Sequence, residues 1–182
     1  MLHLTVPETD DLFDESSNCF LHIKETKLTL EHSLVSISKW ESHYCKPFLS
    51  EKQMTEDEMR YYVQCMTITQ NVDPKVYYAL TADNYNSINE YISAPNTATT
   101  INEKEQATKS KRFVTNELIY SWMIQLNIPI EFQKWHFNRL MTLIKVCQIE
   151  QSESTSKMSK SDAIARHMAT NAKRRAALKK PH

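Results

Sequence analysis

None of the 182 residues is glycine. Average usage is about 7%, so roughly a dozen would be expected. A loop that cradles phosphate needs backbone able to approach the ligand closely or take up positive φ, and glycine is the usual supplier of both. The Walker loop, the dinucleotide fingerprint and the serine elbow each specify glycine at fixed places, so none can be written in this chain. Tight turns must instead draw on asparagine or aspartate for their left-handed positions. Contact rather than catalysis is the expected role, with no cofactor.

Other features are missing too. No run approaches the roughly eighteen apolar residues of a membrane-spanning helix. The opening Met1-Leu2-His3-Leu4-Thr5-Val6-Pro7 lacks the basic n-region of a secretory signal, so a cytosolic protein without membrane contact is expected. Cys19, Cys45, Cys65 and Cys147 form no Cys-x-x-Cys pair, which argues against a zinc knuckle or a dithiol redox motif. Cys65 and Cys147 fall among apolar residues and read as buried, inert thiols.

What is present begins with charge. The formal net charge is zero, but from Ser156 onward eight basic residues face one acidic residue, giving +7. The first 155 residues hold fourteen basic and twenty-one acidic residues, giving −7. A body and tail of opposite sign suggest an interaction arm. Its candidate partner-binding residues are Lys160, Arg166, Lys173, Arg174, Arg175, Lys179 and Lys180.

The pattern predicts a mainly α chain with a small N-terminal antiparallel β-ribbon (α+β) and a helical bundle core. Leu2 to Val6 alternates as a strand, and Cys19 to Ile23 gives a second that extends towards Leu30. Between them Asp10, Asp11, Asp14 and Glu15 predict an acidic loop. Leu34, Ile37, Trp40 and Tyr44 mark one helix, ended by Pro47. Thr55 and Glu58 have capping-box spacing before a Met59, Tyr62, Val63 and Met66 stripe. Asp73-Pro74 starts a short helix, and Ile88, Tyr91 and Ile92 mark another, closed by Pro95. Residues 96–111 read as a polar surface loop. A helix from about Thr115 (Leu118, Ile119, Trp122, Met123, Leu126) and one from Pro129 to about Cys147 (Phe137, Leu140, Met141, Ile144) predict a helical hairpin. The expected division is 1–30 ribbon, 31–150 helical body, and 151–182 Ser-rich linker and basic helix or arm.

Few constellations carry chemistry. His43 and Cys45 are two apart, which does not aim both side chains at one spot on a helix. His32 and His43 on one helix face would be too distant for a shared metal. His136, between Trp135 and Phe137, reads as a satisfied core-edge histidine. The acidic loop lacks the glycine of an EF-hand and reads as solvated, or as a partner of the basic tail. Trp40, Trp122 and Trp135 read as core, because base-stacking platforms line basic grooves and this region is acidic. No metal or catalytic residue is expected. In the tail, Lys173-Arg174-Arg175 and Lys179-Lys180 could make salt-sensitive, sequence-blind phosphate contacts.

Several segments together resemble a family found in tailed bacteriophages. They are Phe13-Asp14-Glu15, then the long block Leu30-Glu31-His32-Ser33-Leu34-Val35-Ser36-Ile37-Ser38-Lys39-Trp40-Glu41-Ser42, then Lys46-Pro47-Phe48-Leu49, Cys65-Met66-Thr67 and Gln70-Asn71-Val72-Asp73-Pro74. Thr97-Ala98-Thr99-Thr100, Gln133-Lys134-Trp135-His136, Asn138-Arg139-Leu140 and the basic end from Asn171 to Arg175 complete the set. The resemblance, spanning nearly the whole chain, is to tail assembly chaperones and tail-region proteins of siphophage type. It implies non-catalytic action in the host cytoplasm during virion assembly, on the tape-measure protein or tail-tube subunits, with self-association a further candidate. Two alternatives stand beside it: a minor tail component retained in the virion, and a small nucleic-acid-binding protein acting through the basic C-terminal arm.

Overall fold

The computed structural model describes residues 1–14, 18–50, 54–101 and 113–152. They form an α+β arrangement with antiparallel strands at the N-terminus and helices after them. The chain divides into two units, Met1–Thr142 and Leu143–His182.

Four strands open the first unit: β1 (Leu2–Val6), β2 (Thr9–Asp14), β3 (Cys19–Ile23) and β4 (Thr26–Leu30). They pair as two nested antiparallel ribbons, β1 with β4 and β2 with β3. In the outer ribbon Leu2 lies opposite Leu30 and Leu4 opposite Leu28. Period-two alternation turns Leu4, Val6, Leu28 and Leu30 to one face, and all four are buried. The far edge of β4 is continued by residues 67–69: Glu31 N–H donates to the Met66 carbonyl (2.9 Å), Ile68 N–H donates to the Thr29 carbonyl (2.8 Å) and Leu30 bridges Thr67. The acidic segment expected as a loop is instead strand β2, with a register shift between Thr9 and Leu12. The cross-strand pair Leu12–Leu21, on the half-buried side, supplies stabilisation that acidic residues do not.

The helices start where side chains satisfy their first N–H groups. Helix α1 (Leu34–Tyr44) is opened by Ser33 and Ser36 in a reciprocal capping box, and α2 (Glu56–Met66) by Thr55 and Glu58 as the spacing predicts. Three acids in the first turn of α2 also suit the positive end of its dipole. Asp73 caps a 3-10 turn, Pro74–Ala79, rather than an α-helix. Helix α3 (Ala82–Ser93) is boxed by Thr81 and Asn84, and the Asn84 amide also donates to the Thr5 carbonyl of β1 (3.2 Å).

Helix α4 (Asn116–Gln125) has no side-chain bond from its own N-cap, Thr115. A residue far away supplies one. Glu41, buried on α1, accepts from Asn116 N–H (2.8 Å) through one oxygen and from Phe48 N–H (2.8 Å) through the other. One carboxylate thus ties α1, the segment after it and the start of α4 together.

The helix expected from Pro129 begins later. Ile130–Lys134 is a 3-10 turn, Trp135 is extended, and helix α5 covers 137–152 among the described residues. The reason lies in the backbone of His136, which bridges Ser33 and accepts from Leu140 N–H (3.1 Å). That pairing is incompatible with a helix running through from Pro129. Phe137, Leu140 and Ile144 are buried, as are Ile119 and Met123 on α4.

Glycine's usual positions are filled by asparagine. Five described residues have positive φ: Asn18, Cys45, Asn71, Asn96 and Asn127, all near 50°. Asn127 closes α4, where its N–H donates to the Ile124 carbonyl (3.2 Å) and Ile128 N–H donates to the Met123 carbonyl (2.8 Å). Those two bonds define a Schellman end, with asparagine where glycine is commonest.

Candidate functional site

Two features of the first unit hold the residues able to do more than fill space. One is internal. His32 sits between β4 and α1, 2% exposed, and its Nδ1 bonds the Tyr62 hydroxyl (2.5 Å). That hydroxyl also lies 3.4 Å from Ser36 Oγ. The ring packs edge-on to His136, centroids 5.2 Å apart, and to Phe137 at 5.5 Å. His136 Nε2 donates to the Tyr91 carbonyl (3.1 Å), while the Tyr91 hydroxyl donates to Glu31 (2.7 Å).

Burial decides what this network can do. It lowers the His32 pKa to about 3, with a further push from His136. His136 is lowered by the same desolvation, opposed by its bond to the Tyr91 carbonyl and by Glu31. Tyr62 and Tyr91 are raised, chiefly by burial. At neutral pH both rings are therefore uncharged, and neither hydroxyl ionises. The network ties the 31–33 connector to α2, α3 and the start of α5. His136 departs from expectation in one respect: its buried Nδ1 has no hydrogen-bond partner among the described residues.

The other candidates are dispersed. His32 precedes the helix that carries His43, so the two do not share a helix face. His43 stacks on Tyr61 with centroids 4.2 Å apart, and Cys45 directs its Sγ to the Ser42 carbonyl. Cys65 is buried, its thiol pushed up to about 11 by desolvation, and Cys147 is half-buried. Trp40 is fully buried and donates to the Glu58 carbonyl (3.1 Å). Trp135 is held between Phe132, stacked at 4.1 Å, and the Arg139 guanidinium at 4.1 Å. Among the described residues no group of three or more His, Cys, Asp or Glu is placed to hold a metal. No described helix is long and apolar enough to cross a membrane. The predicted arm residues Lys160, Arg166, Lys173, Arg174, Arg175, Lys179 and Lys180 lie outside the described residues, as does most of the 96–111 loop.

The second feature faces solvent, on the β2–β3 ribbon. Ile23 is buried and Leu12 and Leu21 are half-buried on one side. Phe13 and Phe20, directly opposite each other, are 49% and 68% exposed, with ring centroids 5.2 Å apart in an edge-to-face pair. Beside them His22 contacts Asp10 and Glu8, both largely exposed. A partner covering both rings would gain about 2–4 kcal/mol from apolar burial alone. The sequence signal for this was the alternation of Phe20 and His22 against Leu21 and Ile23.

No protein-family model, curated protein or solved structure matches this chain.

Proposed function

We propose that this chain is a non-catalytic assembly factor of the tail-assembly-chaperone kind. It binds a tape-measure or tail-tube protein in the host cytoplasm while a bacteriophage virion is built. The observation that carries the reading is the solvent-facing Phe13–Phe20 pair. Two aromatic rings left half-exposed on a strand pair whose other side is packed are suited to anchoring a partner. The resemblance along most of the sequence supplies the identity of that partner. In this reading α1, with α2 and α4 packed on it, acts as a helical bundle core that holds the ribbon rigid. The tie through Glu41 and the neutral His32–His136 contact brace that support.

Co-expression tests the reading. Tape-measure or tail-tube protein produced with this chain is expected to stay soluble and co-purify with it, and to do neither with a Phe13→Ser/Phe20→Ser variant. If both partners remain insoluble and unbound beside the wild-type chain, the reading fails. Mass spectrometry of purified particles separates the alternatives: trace amounts fit a chaperone, and stoichiometric amounts would make the chain a structural component.

A further inference from the structure

We propose that the outward face of the β2–β3 ribbon docks a basic, apolar segment of a partner protein. The partner's aliphatic side chains would cover Phe13 and Phe20, and its lysines and arginines would reach Glu8 and Asp10. The inference rests on the binding role proposed above and specifies the chemistry of what is bound.

Three observations carry it. The rings are paired across the strands and exposed, while the ribbon's opposite side already contains Ile23, Leu12 and Leu21. The fold therefore does not need the two phenylalanines outward. Between residues 8 and 23 the sequence has five acids (Glu8, Asp10, Asp11, Asp14 and Glu15) and no lysine or arginine. Glu8 and Asp10 have side chains 63% and 74% exposed, and among the described residues the half-exposed His22 is their ionic neighbour.

Such a surface selects by sign. Nucleic acid and anionic lipid are repelled by it, and a cationic segment is steered to it. Guanidinium and ammonium groups are also attracted to open aromatic faces, so charge and ring favour the same visitor. A central aromatic pair with a charged border is the usual division between anchor and rim.

The test uses the full chain and two synthetic peptides, one alternating arginine with leucine and one with glutamate in place of each arginine. Fluorescence anisotropy is read at low and moderate salt. The arginine peptide is expected to bind, the glutamate peptide to bind at least about tenfold more weakly, and the preference to shrink as salt screens the charges. Phe13→Ser/Phe20→Ser is expected to lose about tenfold in affinity for the arginine peptide. Glu8→Lys/Asp10→Lys should lose the preference between peptides while keeping a wild-type melting curve. Equal binding of both peptides, or wild-type affinity in the phenylalanine variant, overturns the inference. So does a peptide of residues 157–180 that outcompetes the arginine peptide, since the surface would then fit this chain's own arm. Peptide selectivity that holds while co-expressed tape-measure and tail-tube proteins stay unbound would sink the assembly role and leave the docking chemistry standing.

Discussion

The β1–β4 and β2–β3 ribbons are both two-stranded and antiparallel, and one is nested inside the other in sequence, yet their apolar residues have opposite fates. In the outer ribbon Leu4, Val6, Leu28 and Leu30 are buried, and the free edge of β4 is occupied by residues 67–69. In the inner ribbon Ile23 is buried, while the two largest side chains, Phe13 and Phe20, face water. The same architecture therefore encloses its apolar residues in one place and exposes them in the other. In the proposed reading, a strand pair that keeps phenylalanine outside while its neighbour packs leucine inside is organised around a partner rather than around its own stability.

That contrast can be broken by comparing interior and ribbon substitutions. The largest effect is expected from Trp40→Ala, which empties a fully buried site and removes the bond to the Glu58 carbonyl. The loss should be about 3–5 kcal/mol, measured by urea denaturation, and a loss below 1 kcal/mol would mean the interior is not the stabilising region.

Acid comes next. His32 is neutral in the fold, its pKa lowered to about 3 from 6.5, so the unfolded chain takes up a proton below pH 6.5 that the native state refuses. Stability is full above pH 6.5 and falls as pH drops towards 3, by about 1.4 kcal/mol per unit for this residue. His136 is shifted in the same direction and adds to the fall. Between pH 6.5 and 4.5 wild type should lose roughly 2–3 kcal/mol more than His32→Gln. Identical pH profiles would show that His32 does not couple folding to protons.

A smaller effect sharpens the account of a chain without glycine. At Asn127, φ is 53° in the closing turn of α4. Asn127→Ala should cost about 1 kcal/mol because a Cβ without a compensating polar group disfavours that conformation. Asn127→Gly should be neutral or slightly stabilising. Equal melting temperatures for the two variants would contradict the conformational argument.

Much of the helical portion was legible in the sequence because its signals are local. Thr55 with Glu58, Asp73 with Pro74, and the stripe of Tyr62, Val63 and Met66 all act within one or two turns, and each sits at or near a helix or 3-10 start or on a buried face. The misses are non-local. Strand β2 looked like a loop because aspartate disfavours strands. Pairing with β3 decides otherwise. The start of α5 at residue 137 depends on a bridge from His136 to Ser33, a partner about a hundred residues away that no window of periodicity includes. No local spacing marks Glu41, and only the fold brings it to the N–H groups of Phe48 and Asn116. The candidate surface was half legible: the acids were evident, but the outward direction of Phe13 and Phe20 required the register of the two strands.

The central claim is that the inner ribbon's aromatic pair serves contact and contributes little to folding. It is tested most directly on Phe13→Ser/Phe20→Ser alone, by its urea midpoint beside wild type and by recovery of co-expressed tape-measure protein from the soluble fraction. The account predicts a stability change within about 0.5 kcal/mol together with loss of the soluble complex. A large drop in stability, or an undiminished complex, would contradict it.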